Sequence, residues 1–131
     1  MIIDTSALVA ILFAEPDAPT YAAAIEAAAD RRISAVNYVE AAVVIDGRRD
    51  PVAGRRFDDA MREAAIVIEP VDEHQANLAR EAYRDFGRGS GHPARLNFGD
   101  CFAYALARHR GEPLLFKGDD FIHTDIAPAA T

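Results

Sequence analysis

Met1-Ile2-Ile3-Asp4-Thr5-Ser6-Ala7-Leu8 is the stretch on which the fold turns. Ile2-Ile3 is a short β-branched run, the kind of segment that pairs in a sheet. Asp4-Thr5-Ser6 follows without a spacer. Short oxygen-bearing side chains suit a helix start, because they accept from backbone N–H groups that have no partner within the helix. Residues 7–14 are apolar and read as that helix. A strand running straight into a helix start is the first step of an alternating β-α chain.

Outward from that point the alternation continues. Glu15-Pro16-Asp17 breaks the first helix, and Pro16 stands where it can open a second, alanine-rich one over residues 18–29. Arg32-Ile33-Ser34 reads as a second brief strand. From Asn37 an almost unbroken apolar helix runs to Ile45, with Gly47 and Pro51 marking its end. Residues 52–64 form an exposed, charged helix and Ala65-Ile66-Val67-Ile68-Glu69 a third strand. Asp72 caps a helix in which Leu78, Ala82 and Phe86 recur at every fourth position, a stripe that faces a core. Residues 87–93 make a glycine-rich loop, Asn97 begins a last helix that ends near Gly111, and Leu114-Leu115-Phe116 is a fourth strand. Short strands separated by helices require a parallel sheet covered on both faces. The expected architecture is a three-layer α/β/α domain around a short parallel central sheet. No repeat, low-complexity tract or linker interrupts it, so residues 1–131 are read as one domain.

Composition bounds the function. Apolar residues at 50% and charged residues at 27% are the proportions of an ordinary globular protein, of a size that buries a sizeable core. A single cysteine, Cys101, excludes an internal disulfide framework and fits a reducing compartment. It lies in an apolar stretch and reads as an inert buried thiol. Residues 1–13 are apolar, yet they carry no basic leader segment, Asp4 interrupts them, and they fall short of the ~20 residues that span a bilayer. A cytoplasmic location with no membrane partner is expected. A net charge of −7 argues against a generic RNA binder, which usually shows a basic footprint. Two things weaken that objection. Local basic groups exist at Arg48/Arg49, Arg55/Arg56, Arg84/Arg88/Arg95 and Arg108/Arg110, and a divalent cation can offset clustered acids.

Carboxylates carry the functional signal. Ligands of such sheets bind just beyond the carboxyl ends of the strands, where Asp4 follows the first strand and Asp119 and Asp120 follow the fourth. Glu40 and Asp100 lie in apolar helical segments. Their neighbours one turn away are Val36, Asn37, Val43 and Val44 for Glu40, and Leu96, Asn97, Ala103 and Tyr104 for Asp100. Neither acid has a basic partner on its own helix. An unpaired carboxylate in apolar surroundings is costly unless it is hydrogen-bonded, neutralised or bound to a metal. Two explanations stay open. Asn37-x-x-Glu40 and Asn97-x-x-Asp100 both have the form of a capping box, and Asp4 is a natural cap. Alternatively, the acids gather at one sheet edge. Two carboxylates ~4 Å apart repel by about 4 kcal/mol at an effective dielectric of about 20, so three or four together cannot all stay ionised without a cation. Oxygen ligands with no imidazole or thiolate suit Mg²⁺ or Mn²⁺, and such sites hydrolyse phosphodiesters.

The same segments resemble, in order along the chain, the motifs of PIN-domain toxins of the VapC kind. Residues 1–8 are similar to the opening strand and first acid, and Asn37-Tyr38-Val39-Glu40 to the second acidic motif. Leu96-Asn97-Phe98-Gly99-Asp100-Cys101-Phe102-Ala103-Tyr104-Ala105 resembles the third, and Pro113-Leu114-Leu115-Phe116-Lys117-Gly118-Asp119-Asp120-Phe121 the fourth. The resemblance spans the whole chain. It implies a PIN-like fold and the toxic component of a type II toxin–antitoxin system: a Mg²⁺- or Mn²⁺-dependent endoribonuclease, partnered by a VapB-like antitoxin, acting on RNA and forming a homodimer. It carries metal-ligand roles to Asp4 and Asp100, and a ligand or water-positioning role to Glu40. In the commoner family pattern a threonine or serine stands two positions before an Asp or Asn. Here those positions hold Phe116 and Gly118, and a one-residue shift makes Asp119 the fourth catalytic acid, with Asp120 the alternative. Ser6 either bonds a ligand of the site or caps the first helix.

Other signals weigh less. His74, His92, His109 and His123 contain no pair at helical spacing, so neither a zinc site nor a nucleophilic triad is expected. Gly87-x-Gly89-x-Gly91 follows a helix and lacks Gly-Lys-Ser/Thr, so it reads as a flexible loop rather than a phosphate loop. Arg88 and Arg95 beside it are placed to touch RNA phosphates. Tyr38, Tyr83 and Tyr104 fall at helical positions expected to face the core. Residues 7–13 are apolar on nearly every face, which implies either burial within the monomer or an interface with a second copy and an antitoxin. The competing function is a non-catalytic α/β interaction module whose acids are only helix caps.

Overall fold

The computed structural model describes residues 1–129. Along the chain run β1 (Ile2–Ile3), α1 (Thr5–Leu12), α2 (Ala18–Ala27), β2 (Arg32–Ser34), α3 (Ala35–Asp46), α4 (Pro51–Glu63), β3 (Val67–Glu69), α5 (Glu73–Phe86), α6 (Phe98–Arg110) and β4 (Leu114–Leu115). The strands form one parallel sheet in the order β3-β2-β1-β4. Ile2 stands opposite Arg32 on one side and Leu114 on the other. Successive strand residues point to opposite faces, and the core divides accordingly. Ile2 and Leu114 pack under α5 and α6 with Ala79, Ala82, Leu96 and Leu106. Ile3, Ile33 and Leu115 pack on the other face with Leu8, Ile25, Ile45 and Phe57 from α1 to α4. This is the three-layer α/β/α arrangement expected from the strand-helix alternation.

The strand order fixes where a site can form. The chain builds outward from β1 to β2 and β3, then returns to lay β4 on the free side of β1. The direction of winding therefore reverses between β1 and β4, and the crevice at such a reversal, beyond the carboxyl ends of the strands, is where open α/β sheets take ligands. Asp4 occupies that point.

Several local expectations are corrected. α2 has Asp17 at its N-cap position, with no side-chain capping bond, and carries Pro19 in its first turn, so Pro16 lies outside it. α3 begins at Ala35 with Ser34 as its cap, the Ser34 hydroxyl accepting from Val36 N–H at 3.3 Å. Asn37 is therefore inside the helix, and the Asn37-x-x-Glu40 capping box does not form. Asn97-x-x-Asp100 is a true capping box, and α6 ends at Gly111 in the left-handed region, φ 65°, which glycine adopts without a side-chain penalty. Tyr38 stacks on the buried Phe57, but Tyr83 is 52% exposed and faces away from the core. In α1, Ala7, Leu8 and Ala10 are buried, while Val9, Ile11, Leu12 and Phe13 are part-buried against the same cluster. No helix among the described residues is long and apolar enough to cross a membrane.

Phe57 is 1% exposed and joins α4 to α3 through Tyr38, so its truncation removes packing that nothing nearby can refill. Phe57→Ala is expected to cost about 3–5 kcal/mol, whereas Val43→Ala, at a position 65% exposed, stays within about 0.5 kcal/mol. Urea unfolding of both variants measures the contrast.

Candidate active site

The backbone of Asp4 is part of the sheet: its N–H donates to Leu115 O at 2.9 Å. Its side chain caps α1, Oδ2 accepting from Ser6 N–H at 3.0 Å and from the Ser6 hydroxyl at 2.6 Å. Ser6 Oγ in turn accepts from Lys117 N–H at 2.9 Å, and Lys117 Nζ reaches Glu15 at 2.9 Å and Asp17 at 3.0 Å. The end of β4, the start of α1 and the α1–α2 turn are thus tied to one carboxylate oxygen. The other oxygen, Asp4 Oδ1, is buried and has no hydrogen-bond partner among the described residues.

Glu40 is held from two helices. Thr5 Oγ1 lies 2.5 Å from Glu40 Oε1 and 3.0 Å from Asn37 O. Asn37, fully buried, donates from Nδ2 to Glu40 Oε1 at 3.3 Å and to Gly99 O at 3.0 Å. The amide that a sequence reading places at a helix cap instead joins α3 to the first turn of α6. Gly99 makes that approach possible: a Cβ there would stand 2.1 Å from Glu40 Oε2. Asp100, the next residue, closes the capping box, accepting on Oδ2 from Asn97 N–H at 3.0 Å while Asn97 Oδ1 accepts from Asp100 N–H at 2.8 Å.

The charges of these acids act on one another. Burial pushes the Asp4 carboxyl up to about 6; the bonds from Ser6 oppose the shift, and Glu40 and Asp120 add to it. Burial likewise pushes Asp100 up to about 7, opposed by the Asn97 N–H and reinforced by Asp4, Asp120 and Glu40. Of the two acids after β4, Asp120 is the one whose charge acts on both Asp4 and Asp100. Asp119 and Asp120 line a basin of about 370 Å³ together with Arg88, Arg95 and His123. The Gly87–Leu96 bridge pins the two ends of the glycine-rich loop and so presents both arginines there. Arg95 holds φ 53°, a conformation that costs a non-glycine residue about 1 kcal/mol or more.

The donors near Asp4 are of the type that a hard divalent cation takes. They are carboxylate oxygens, one of them buried and unpartnered, in a setting that disfavours their ionisation. In the arrangement described, no three carboxylate, imidazole or thiol groups converge on one point among the described residues; Oδ2 of Asp4 and of Asp100 are engaged as caps. His74 and His109, distant in sequence, bring their rings to 5.0 Å between centroids, but among the described residues no third such group joins them. Burial raises the Cys101 thiol to about 11, as an inert core thiol requires.

The PIN domain family profile matches residues 1–127. VapC ribonuclease Mb0625 of Mycobacterium bovis and Ribonuclease VapC28 of Mycobacterium tuberculosis are each 59% identical to this chain over 129 residues, covering 98% of it and 97% of their own length. Ribonuclease VapC42 of M. tuberculosis is 53% identical over 131 residues, covering both chains completely. The crystal structure of M. tuberculosis VapC20, described as a sarcin-ricin loop cleaving toxin, shares the fold, with a TM-score of 0.74 at 18% identity over 96% of this chain and 95% of that one. The chain belongs to the PIN-domain family, in its VapC branch.

Gly99→Ala places a methyl group against the Glu40 carboxylate. Alanine is the better helix former by about 1 kcal/mol, so a net loss of stability in this variant reports the clash. The loss should largely disappear in Gly99→Ala/Glu40→Ala, a non-additivity that urea titrations detect; additive values would place the carboxylate elsewhere.

Stability should also depend on pH through Asp4 and Asp100. Both fold with raised pKa, so between about 4 and 7 the native state holds more protons than the unfolded chain and stability falls as pH rises. In EDTA, Asp4→Asn and Asp100→Asn should match or exceed wild type above pH 7, by up to about 1–3 kcal/mol, with the advantage gone near pH 4. Thermal melts across that range provide the check.

Proposed function

We propose that this chain is the toxic component of a type II toxin–antitoxin pair, an endoribonuclease dependent on Mg²⁺ or Mn²⁺ that hydrolyses RNA phosphodiesters to leave 3′-hydroxyl and 5′-phosphate ends. Its expected setting is the cytoplasm, as a single-domain homodimer restrained by a VapB-like antitoxin. Relatives named as ribonucleases at 59% identity over nearly the whole chain support the RNA-cleaving part. The observation that carries the metal is Asp4 Oδ1: a buried, unpartnered carboxylate oxygen within the electrostatic reach of Glu40, Asp100 and Asp120.

In this reading Asp4 and Asp100 hold the cation, with Asp120 favoured over Asp119 as the fourth acid because its charge acts on both. The cation, when bound, offsets the charge of the phosphodiester and activates water toward hydrolysis. Ser6, itself held by Lys117 N–H, fixes Oδ2 of Asp4 and leaves Oδ1 for the cation. Thr5 and Asn37 hold Glu40, leaving Oε2 to orient the attacking water and take its proton. Arg88 and Arg95 hold phosphates that flank the cut, which lets a chain of net charge −7 engage a polyanion locally.

A second reading, an interaction module whose acids only cap helices, is favoured by the caps themselves, since Oδ2 of Asp4 and of Asp100 serve backbone N–H groups. Capping, however, leaves Asp4 Oδ1 unexplained. Total RNA incubated with pure protein should be cut in Mg²⁺ or Mn²⁺ and spared in EDTA. Asp4→Asn and Asp100→Asn should abolish cutting, and Glu40→Gln should slow it by roughly 10²–10⁴-fold, the range for losing a general base. Asp120→Ala should lose more activity than Asp119→Ala. RNA left intact by wild type in both metals, with both Asn variants melting lower than wild type in EDTA, would establish the capping reading instead.

A further inference from the structure

Away from the acids, His74 and His109 form a pair that helical spacing does not predict, because they come from different helices. His74 lies in the first turn of α5 and His109 in the last turn of α6, so the start of one helix meets the end of the other. Their ring centroids are 5.0 Å apart and the ring planes are inclined at 57°. Both residues are exposed. Neither ring hydrogen-bonds or pairs with a carboxylate among the described residues. Their nitrogens are therefore open to a ligand.

The spacing is that of a chelate. A metal ion sits about 2.1 Å from a ligating imidazole nitrogen, and hence about 3.2 Å from the ring centre. Two rings on one ion then have centres about 4.5 Å apart at a right angle and about 5.2 Å apart at the tetrahedral angle. The observed 5.0 Å falls between these values. The surroundings also suit a cation. The guanidinium groups flanking His109 are paired, Arg108 with Asp125 and Arg110 with Asp30, Glu69 and Glu112, while the exposed acids Asp72 and Glu73 directly precede His74. Imidazole nitrogens select Ni²⁺, Cu²⁺ and Zn²⁺, whereas Mg²⁺ takes oxygen ligands. We propose that His74 and His109 form a two-histidine chelate for such a transition-metal ion, which clips the start of α5 to the end of α6, with water completing the coordination. This site is separate from the acids: Asp100 stands in the first turn of α6, about 13 Å from His109 along the axis at the helical rise. It does not depend on the ribonuclease reading.

The test titrates Ni²⁺ into the full chain, free of any polyhistidine tag, by calorimetry with excess Mg²⁺ present to occupy oxygen sites. Wild type should take one Ni²⁺ per chain. Its melting temperature should rise by roughly 5–15 °C once the ion is in about hundredfold excess over its Kd. His74→Ala and His109→Ala should each weaken binding by at least about tenfold and lose the melting shift, since either change leaves a single imidazole. In EDTA both variants should melt like wild type, because the side chains lie at the surface. The double variant should bind no more weakly than either single one, the non-additivity expected of two ligands on one ion. His92→Ala, His123→Ala and Asp4→Asn should bind Ni²⁺ as wild type does. The chelate is overturned if wild type takes no Ni²⁺, or if the losses in the two single variants add, as separate sites on separate histidines would give. Loss of binding in Asp4→Asn or His123→Ala overturns it too, since the ion then sits at the acids. RNA cleavage in Mg²⁺, measured separately, decides the ribonuclease reading by itself.

Discussion

The placement of β1 between β2 and β4 governs the rest of the molecule. Its neighbours supply parallel pairings on both sides, and the ladder extends one residue past the strand, where Asp4 N–H bonds to Leu115 O. Asp4 is therefore a sheet residue in its backbone and a helix cap in its side chain. A two-residue strand can hold such a position because Ile2 and Ile3 are both fully buried, one in each core. Sheet pairing, two hydrophobic clusters and the start of α1 thus all constrain one residue, and the carboxylate at its tip inherits that rigidity.

Rigidity explains how Asp4 and Asp100 stay within reach of one another's charge. An aspartate on a loose loop would swing into water; Asp4 is tied through Ser6, and Asp100 through Asn97. Each tie engages one oxygen with N–H or O–H donors, which lowers the acid's pKa, but burial outweighs it and both acids end up above the usual carboxylate range. The surrounding apolar packing sustains this unfavourable arrangement, as functional sites commonly require of the fold that carries them.

Asp4 and Asp100 were legible in the sequence because local signals mark them: a strand end for one, an Asn-x-x-Asp box for the other. The sheet layers were legible for the same reason, since strand and helix periods differ. The sequence marks Glu40 as well, but not its partners. Asn37 reads as a cap by spacing, yet Ser34 wins that role at the strand end, which frees the amide to bond Gly99 across 62 positions of sequence. No local pattern encodes such a contact. The acids after β4 were ambiguous because a turn, unlike a helix, has no period to say which of two adjacent side chains points inward. Tyr83 is exposed because a four-residue stripe defines the centre of a buried face and leaves its edge open, and that edge lies where α5 meets α6.

The bridge between Gly87 and Leu96 has a consequence for how this surface can change over time. Arg88 N–H bonds Leu96 O and Leu96 N–H bonds Phe86 O, so the loop is stapled at its base, next to its arginines. Everything between the staples can lengthen at a cost that grows only logarithmically with the number of residues added, without moving either cation. The loop tip is therefore a module of independent variation: mutation can remodel the surface it presents while the acids beneath it keep their positions.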